Sequence, residues 1–354
     1  MPAPQKVLTP NTPRLNSAAE GAVAEWGMLN EPRLHRRKPS ASYGIALPWD
    51  DFAPAWSSAE EQLARLEQQL SSSDLRHCWI CRADFQEAAA LAALRGDPVA
   101  MDELVMVDAG AVPARPTPAW SLARALLAVR RHISRAGPAK VLSPEGILEL
   151  ESRLAEFLGE FVPDSGLPAA RSDRQAIQRW LTGVEKLGDM PALPAAAIAL
   201  RNWRRAAPLT RCNDEIGLIL AATLLWRWDK TKGLTACLAG GGFVFDDRAP
   251  LGPWIERFCA AVAGAAREGQ DSLQTMTRGR ARITKLLMRH RAHSRLPRLA
   301  WLLLTYPVMP PRFIQRRLGT TPQGTDWLLK ELINNKIVSI TRKLDKKRTY
   351  KLSP

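Results

Sequence analysis

A mainly α-helical protein, a large helical body followed by a small basic domain that ends in a β-hairpin, is predicted by three observations. Apolar residues recur at three- and four-residue spacing in one segment after another from Ala59 onward. Strand-like alternation is nearly absent before Val338. Positive charge is segregated: of 50 lysines and arginines and 35 acids in 354 residues, nineteen and three lie between Arg278 and Pro354, so this stretch carries +16 and the first 277 residues about −1.

The chain has room for two domains, and 46% apolar with 24% charged residues describes a globular protein. Residues 1–48 mix proline, alanine and serine with the basic run Arg33-Leu-His-Arg-Arg-Lys38 and read as a disordered tail. The body spans 49–277. Leu63, Leu66 and Leu70 mark a first amphipathic helix from Ala59, and a second covers Arg82 to Leu94 until Gly96-Asp-Pro98 stops it. Met101 to Asp108 fits a helical turn or a strand equally. Trp120 to Arg135 is helical, and Ser143-Pro-Glu-Gly146 caps the next helix. Leu158 to Arg174 reads as a connector. Leu193 to Ala206 and Glu215 to Trp228 are helices buried in the middle of the body, Pro253 to Glu268 is amphipathic, and Gln270 to Arg291 is a basic linking helix.

The basic region, 278–354, reads as a winged helix-turn-helix. Leu296 to Tyr306 is a packing helix, Arg312 to Leu318 a second, and Gly319 the turn. Thr321-Pro322 caps the third helix, whose inward residues are Thr325, Leu328, Leu329 and Leu332. Gln323, Asp326, Trp327 and Lys330 then face outward. Gln323 suits adenine, Thr321 a phosphate or base, and Lys330 a phosphate, with Arg312 and Arg316 as further DNA-binding candidates. Trp327 fits packing against the wing or the body as well as it fits DNA. Ile337 to Thr341 and Thr349 to Leu352 alternate as strands, with Arg342, Lys343, Lys346, Lys347 and Arg348 at the tip, where a wing lies along the duplex backbone or minor groove.

Between the two buried helices lies Ala207-Pro-Leu-Thr-Arg-Cys-Asn-Asp-Glu-Ile-Gly-Leu218. This layout resembles Fic-domain proteins, whose signature H-x-F-x-D-G-N-G-R-x-x-R occupies such a loop. Laid over it without a gap, the histidine falls on Ala207, the phenylalanine on Leu209, the acid on Arg211, the asparagine on Asn213, and the arginines on Glu215 and Leu218. Only Asn213 matches. The resemblance implies an imidazole base, a carboxylate holding magnesium and arginines cradling nucleotide phosphates, so Ala207, Arg211 and Glu215 imply a catalytically silent loop. Leu91-Ala-Ala-Leu-Arg-Gly96 fits the frame of the inhibitory S/T-x-x-x-E-G/N helix of that family with arginine for glutamate. Arg95 and Glu215 are then either a charge-reversed counterpart of the inhibitory contact or two unrelated solvated charges. From Ala59 to Leu352 the chain is also similar to members of a bacterial family of uncharacterised proteins that pairs such a helical domain with a C-terminal helix-turn-helix. Trp79-Ile-Cys-Arg-Ala-Asp-Phe85, Asp102-Glu-Leu-Val105 and Leu318 to Gly324 carry that likeness.

Cys78-x-x-Cys81 beside His77 is one pair where a closed zinc site needs four ligands, and it reads as two thiols on one helix face. Gly240-Gly-Gly242 and Asp229-Lys-Thr231 lack the context of phosphate loops. No metal or cofactor is expected. Five cysteines are most simply reduced thiols of a cytoplasmic protein, and the longest apolar stretches, Ile216 to Trp226 and Leu299 to Met309, are too short for a membrane span. The expected function is duplex-DNA binding by a transcriptional regulator, with a silent Fic-like body serving dimerisation, partner contact or ligand sensing. The competing expectations are an AMP- or nucleotidyl-transferase of Fic type, and docking of the basic domain on RNA or an acidic protein.

Overall fold

In the computed structural model the described residues are 47–96, 98–110, 117–158, 172–288, 295–344 and 347–352, and all of them belong to one compact unit, Tyr43–Pro354. The expected tail lies outside these residues except for Leu47 and Pro48.

The body opens with α1 (Trp49–Ser71), ten residues before the expected start, because Phe52 and Ala59 extend the buried stripe of Leu63, Leu66 and Leu70 backward. Helix α2 (Arg76–Ala93) also starts early and carries both Cys78 and Cys81. The segment read as either turn or strand is helix α3 (Met101–Asp108). Four further helices follow, α4 (Pro118–Ala136), the short α5 (Pro138–Val141), α6 (Pro144–Leu158) and α7 (Arg174–Lys186). The Ser143 hydroxyl accepts the Gly146 amide at 3.0 Å, and Asp173 caps α7 through the Ala176 amide at 2.9 Å, satisfying amides that have no intrahelical partner. The central pair α8 (Ala192–Ala206) and α9 (Asn213–Arg227) is almost wholly buried, as its alanine- and leucine-rich sequence requires.

Where two helices were expected, one continuous helix, α10 (Leu251–Leu287), of 37 residues packs along α1. Gly269, between the two expected segments, is a packing position. A Cβ there would lie 2.8 Å from Trp79 Cζ2, and the Trp79 indole N–H donates to the Gly269 carbonyl at 2.8 Å. Glycine costs a helix interior about 1 kcal/mol relative to alanine, and the approach of a buried tryptophan offsets that cost. The expected domain boundary at 278 falls inside this helix.

A buried polar cluster braces the body. Arg130 of α4 is fully buried, and donates to Asp84 of α2 at 2.9 Å and to the Leu234 carbonyl at 3.0 Å. Glu87, one turn on, accepts the amides of Ala239 and Gly240 at 3.0 and 2.8 Å, which anchors the triple-glycine run as a loop.

The C-terminal region holds α11 (Leu296–Thr305), β1 (Val308–Met309), α12 (Pro311–Leu318), α13 (Pro322–Asn334), β2 (Val338–Leu344) and β3 (Lys347–Leu352). The sheet is antiparallel in the order β1-β3-β2, with Met309 and Ile340 both paired to Tyr350. Strand β1 has only two residues and offers no alternation to detect. The hairpin strands run further than expected, so Arg342, Lys343, Lys347 and Arg348 belong to strands rather than to a long tip, with a register shift between Thr341 and Lys343. One buried apolar cluster joins this region to the body: Leu66, Trp79, Met276, Leu299, Leu303, Ile314, Leu329 and Tyr350 are among its members. Among the described residues, no helix is long and apolar enough to cross a membrane.

Candidate functional site

Two helices joined by a three-residue turn form the most distinctive surface of the C-terminal region. Helix α12 ends at Gly319, whose φ of 57° lies in the left-handed region that favours glycine. The Arg295 guanidinium donates to the carbonyls of Leu318 and Gly319, which fixes the turn from outside. Thr321 then caps α13, its Oγ1 accepting the Gly324 amide at 3.1 Å, and Pro322 occupies the first helical position. Thr325, Leu328, Leu329 and Leu332 are buried, whereas Gln323, Asp326, Trp327 and Lys330 are exposed, Trp327 to 53%. The heptad arithmetic of the sequence and the geometry agree residue by residue on this helix. Arg312 is exposed. Lys346 and the side chains of Arg342, Lys343, Lys347 and Arg348 lie outside the described residues.

Arg316 is exposed like Arg312 but is also tied to the body. Its Nη2 donates to the carbonyl of Ala109, the C-cap of α3, where helix carbonyls lack intrahelical partners. The body returns the arrangement: Arg82 of α2 donates through Nε and Nη2 to the carbonyls of Leu304 and Leu303, in the last turn of α11, at 2.6 and 2.7 Å. Burial lowers the Arg82 pKa to about 10, which leaves it charged at neutral pH. Each part of the chain thus caps a helix of the other with an arginine. Tyr306 fills the space between Phe85 and Phe313, with ring centroids 6.0 and 4.8 Å apart, and Lys351 reaches Asp102 at 3.7 Å. Because α3 packs on β1, the body covers that edge of the sheet and leaves α13 and β2 on the outer side. Sequence reading missed Arg82, Arg295 and this use of Arg316, since their acceptors are main-chain carbonyls and carry no residue signature. The one visible trace is an arginine and an aspartate, Arg82 and Asp84, inside an otherwise apolar run.

The loop between α8 and α9 is tightly tied. Ala207 and Cys212 have φ of 41° and 53°, left-handed values that reverse the chain at both ends of the loop. The Asn213 side chain accepts the Leu209 amide at 3.3 Å, and its carbonyl accepts the Trp203 indole N–H at 2.8 Å. Thr210 binds Glu151 through its amide and hydroxyl, at 3.2 and 3.0 Å. Arg204 grips Asp214 with two bonds, of 2.9 and 3.1 Å. Ala207 and Arg211 are exposed, while Glu215 is buried. Arg95, just beyond α2, donates to both oxygens of Glu215, at 2.5 and 3.3 Å, and the bond to this carboxylate holds the guanidinium above its ordinary pKa. The pair that the sequence frame left open as contact or coincidence is therefore a contact.

The five cysteines are free thiols. Burial pushes Cys81 up to about 12 and Cys212 up to about 11, so neither is an ionised nucleophile at neutral pH. Cys81 Sγ lies 3.8 Å from His77 Nε2, and among the described residues no group of three or more His, Cys, Asp or Glu is placed to hold a metal.

No protein-family profile matches the chain. Uncharacterized protein y4cF of Sinorhizobium fredii is 24% identical over 339 residues, 76% of this chain and 89% of that protein. A Fic family protein from Desulfovibrio desulfuricans G20, known from a crystal structure, aligns at a TM-score of 0.47 and 13% identity, covering 90% of this chain and 98% of that one.

Proposed function

We propose that this protein binds duplex DNA as a regulator of transcription, using α11–α13 and β1–β3 as a winged helix-turn-helix. The observation that carries the reading is the outward stripe Gln323, Asp326, Trp327 and Lys330 on a helix entered by a three-residue turn, within a segment of net +16. Such a helix presents polar groups at the spacing of base edges, and the concentrated charge attracts phosphates. In this reading the β2–β3 hairpin is the wing, Lys330 and Arg312 contact phosphates, and Arg316, whose guanidinium bonds the Ala109 carbonyl, also braces the fold.

The helical body is proposed to be catalytically silent and to serve dimerisation, partner contact or ligand sensing. Its loop does not fit the magnesium-bound nucleotide that a Fic-type transfer requires. Ala207 has no proton acceptor, Arg211 repels a cation, and Glu215 repels phosphate and is already bound by Arg95.

Fluorescence anisotropy of the full-length protein on a labelled duplex, across a salt series, tests the main reading. Binding is expected to weaken steeply with salt, with RNA and an acidic polypeptide as weaker competitors. Absence of binding at low salt overturns it. Incubation with labelled ATP and magnesium, using wild type and Arg95→Glu, tests the silent body. Label transfer that is lost when the 207–215 loop is mutated would restore the transferase reading, whereas Ala207→His alone is expected to create none.

A further inference from the structure

We propose that Asp326 makes the reading helix selective for cytosine, its carboxylate accepting the N4 amino group that cytosine presents in the major groove. The inference rests on α13 being a DNA-reading helix.

Asp326 stands in the middle of the outward stripe, three residues after Gln323 and four before Lys330, on the face opposite Thr325, Leu328, Leu329 and Leu332. It is one of three acids among the last 77 residues, which hold nineteen lysines and arginines. A carboxylate carried into the major groove meets the phosphates of both walls, so it lowers affinity for any duplex in which it finds no hydrogen-bond donor. Lys330 lies at i+4, the spacing and order at which an acid and a lysine pair on a helix. Among the described residues, however, neither Asp326 nor Lys330 has an ion-pair or side-chain hydrogen-bond partner. The carboxylate is thus presented outward and uncompensated.

The chemistry of the groove selects its partner. Cytosine offers an N4 donor with no acceptor beside it on the same base, whereas adenine sets N7 next to its N6 donor, guanine offers N7 and O6, and thymine offers O4 and a methyl group. An ionised carboxylate is attracted by the first and repelled by the acceptors of the others. Gln323, with one donor and one acceptor, matches adenine instead. The two residues therefore discriminate in different directions along one helix, and a carboxylate in this position gives up general affinity for a base-specific contact.

The test is selection of bound duplexes from a randomised pool by the full-length protein, as wild type, Asp326→Asn and Asp326→Ala, followed by anisotropy on the selected site. The wild-type consensus is expected to contain an invariant cytosine that becomes degenerate in both variants, while the other positions persist. Replacing this cytosine by thymine should cost wild type roughly tenfold in affinity and cost Asp326→Asn almost nothing. Asp326→Asn should also bind random duplex roughly threefold more tightly, since one anion has left the interface. An unchanged consensus with a uniform gain in affinity would show a merely solvated charge and overturn the proposal. A wild type that binds duplex yet selects no sequence overturns it as well and leaves DNA binding standing. Failure to bind at low salt removes the reading beneath it. Asp326→Asn preserves shape at an exposed site, and an unchanged thermal melt confirms that the fold is intact.

Discussion

In the helical body Arg130, Arg131 and Arg204 end on the carboxylates of Asp84, Asp108 and Asp214, whereas in the C-terminal region Arg295 and Arg316 end on main-chain carbonyls and Arg312 and Lys330 are exposed. Arg280, near the end of α10, and Lys351 of β3 reach Asp74 and Asp102 of the body. The difference separates net charge from available charge. A stretch with few acids of its own ties two exposed arginines, Arg295 and Arg316, to helix-end carbonyls, and those guanidiniums then hold the fold. Arginine has three roles here: counterion at 130, helix cap at 82 and 316, exposed cation at 312. Composition locates the positive field, but only burial and partners identify the cations that an outside anion can reach.

The largest expected effect breaks the body side of this comparison. Arg130→Met removes a fully buried cation and leaves Asp84 and Glu87 buried without it, which is expected to destabilise the protein by about 3–5 kcal/mol. Chemical denaturation measures the loss, and hydrogen exchange locates it. Because one apolar cluster spans both regions, amides of α13 should lose protection together with those of α4. A C-terminal region that stays protected would mean that the two parts unfold independently.

On the other side, exchanging Arg342, Lys343, Lys346, Lys347 and Arg348 for glutamine should leave the melt within about 0.5 kcal/mol of wild type. It should flatten the salt dependence of duplex binding by roughly four and weaken binding about 100-fold near physiological salt, equally on all sequences. Anisotropy on selected and random duplexes reads this out, and a loss confined to the selected site would contradict a phosphate-tracking role.

The interface between the regions gives a smaller and sharper contrast. Arg82→Met leaves the carbonyls of Leu303 and Leu304 without their charged donor, an expected loss of about 2 kcal/mol in a thermal melt. Arg312→Met, at an exposed position, should change stability by less than about 0.5 kcal/mol. Similar losses from both would mean that the caps contribute no more than surface charge.

How much of this was legible in the sequence follows from how local each cause is. The faces of α13 were readable because burial repeats with the helical period, and its start because Thr321 and Pro322 are local signals. Strand β1 was not readable: two residues carry no pattern, and their pairing is decided by Tyr350 and Lys351 far along the chain. The continuity of α10 through Gly269 was not readable, because the partner of that glycine, Trp79, is 190 residues away. Arg82 drew no role from the sequence and Arg316 was read as a DNA contact, since an acceptor carbonyl more than 200 residues distant leaves no mark on composition. In the α8–α9 loop, Arg95 was linked to Glu215 through the frame of a resembled motif, and neither charge alone pointed to the other.

That pair supports the last and smallest prediction. Arg95 is about half exposed and Glu215 is 3% exposed as a side chain, so solvent screens one end of the bond and not the other. Arg95→Met leaves a buried carboxylate unpaired and should cost about 1 kcal/mol, less than the loss of a fully buried partner because the loop can admit water. Arg95→Glu should cost more, as two carboxylates then meet. The exchange Arg95→Glu with Glu215→Arg is expected to recover only part of the loss, since Glu215 sits in the first turn of α9, where an acid suits the helix dipole and an arginine does not. A double-mutant cycle with Met at 95 and Gln at 215 measures the coupling, expected at about 1 kcal/mol. Zero coupling would make the contact a coincidence of position between a half-exposed arginine and a buried carboxylate. It would also mean that this ion pair does not couple the end of α2, which carries Arg82 against the C-terminal region, to the start of α9.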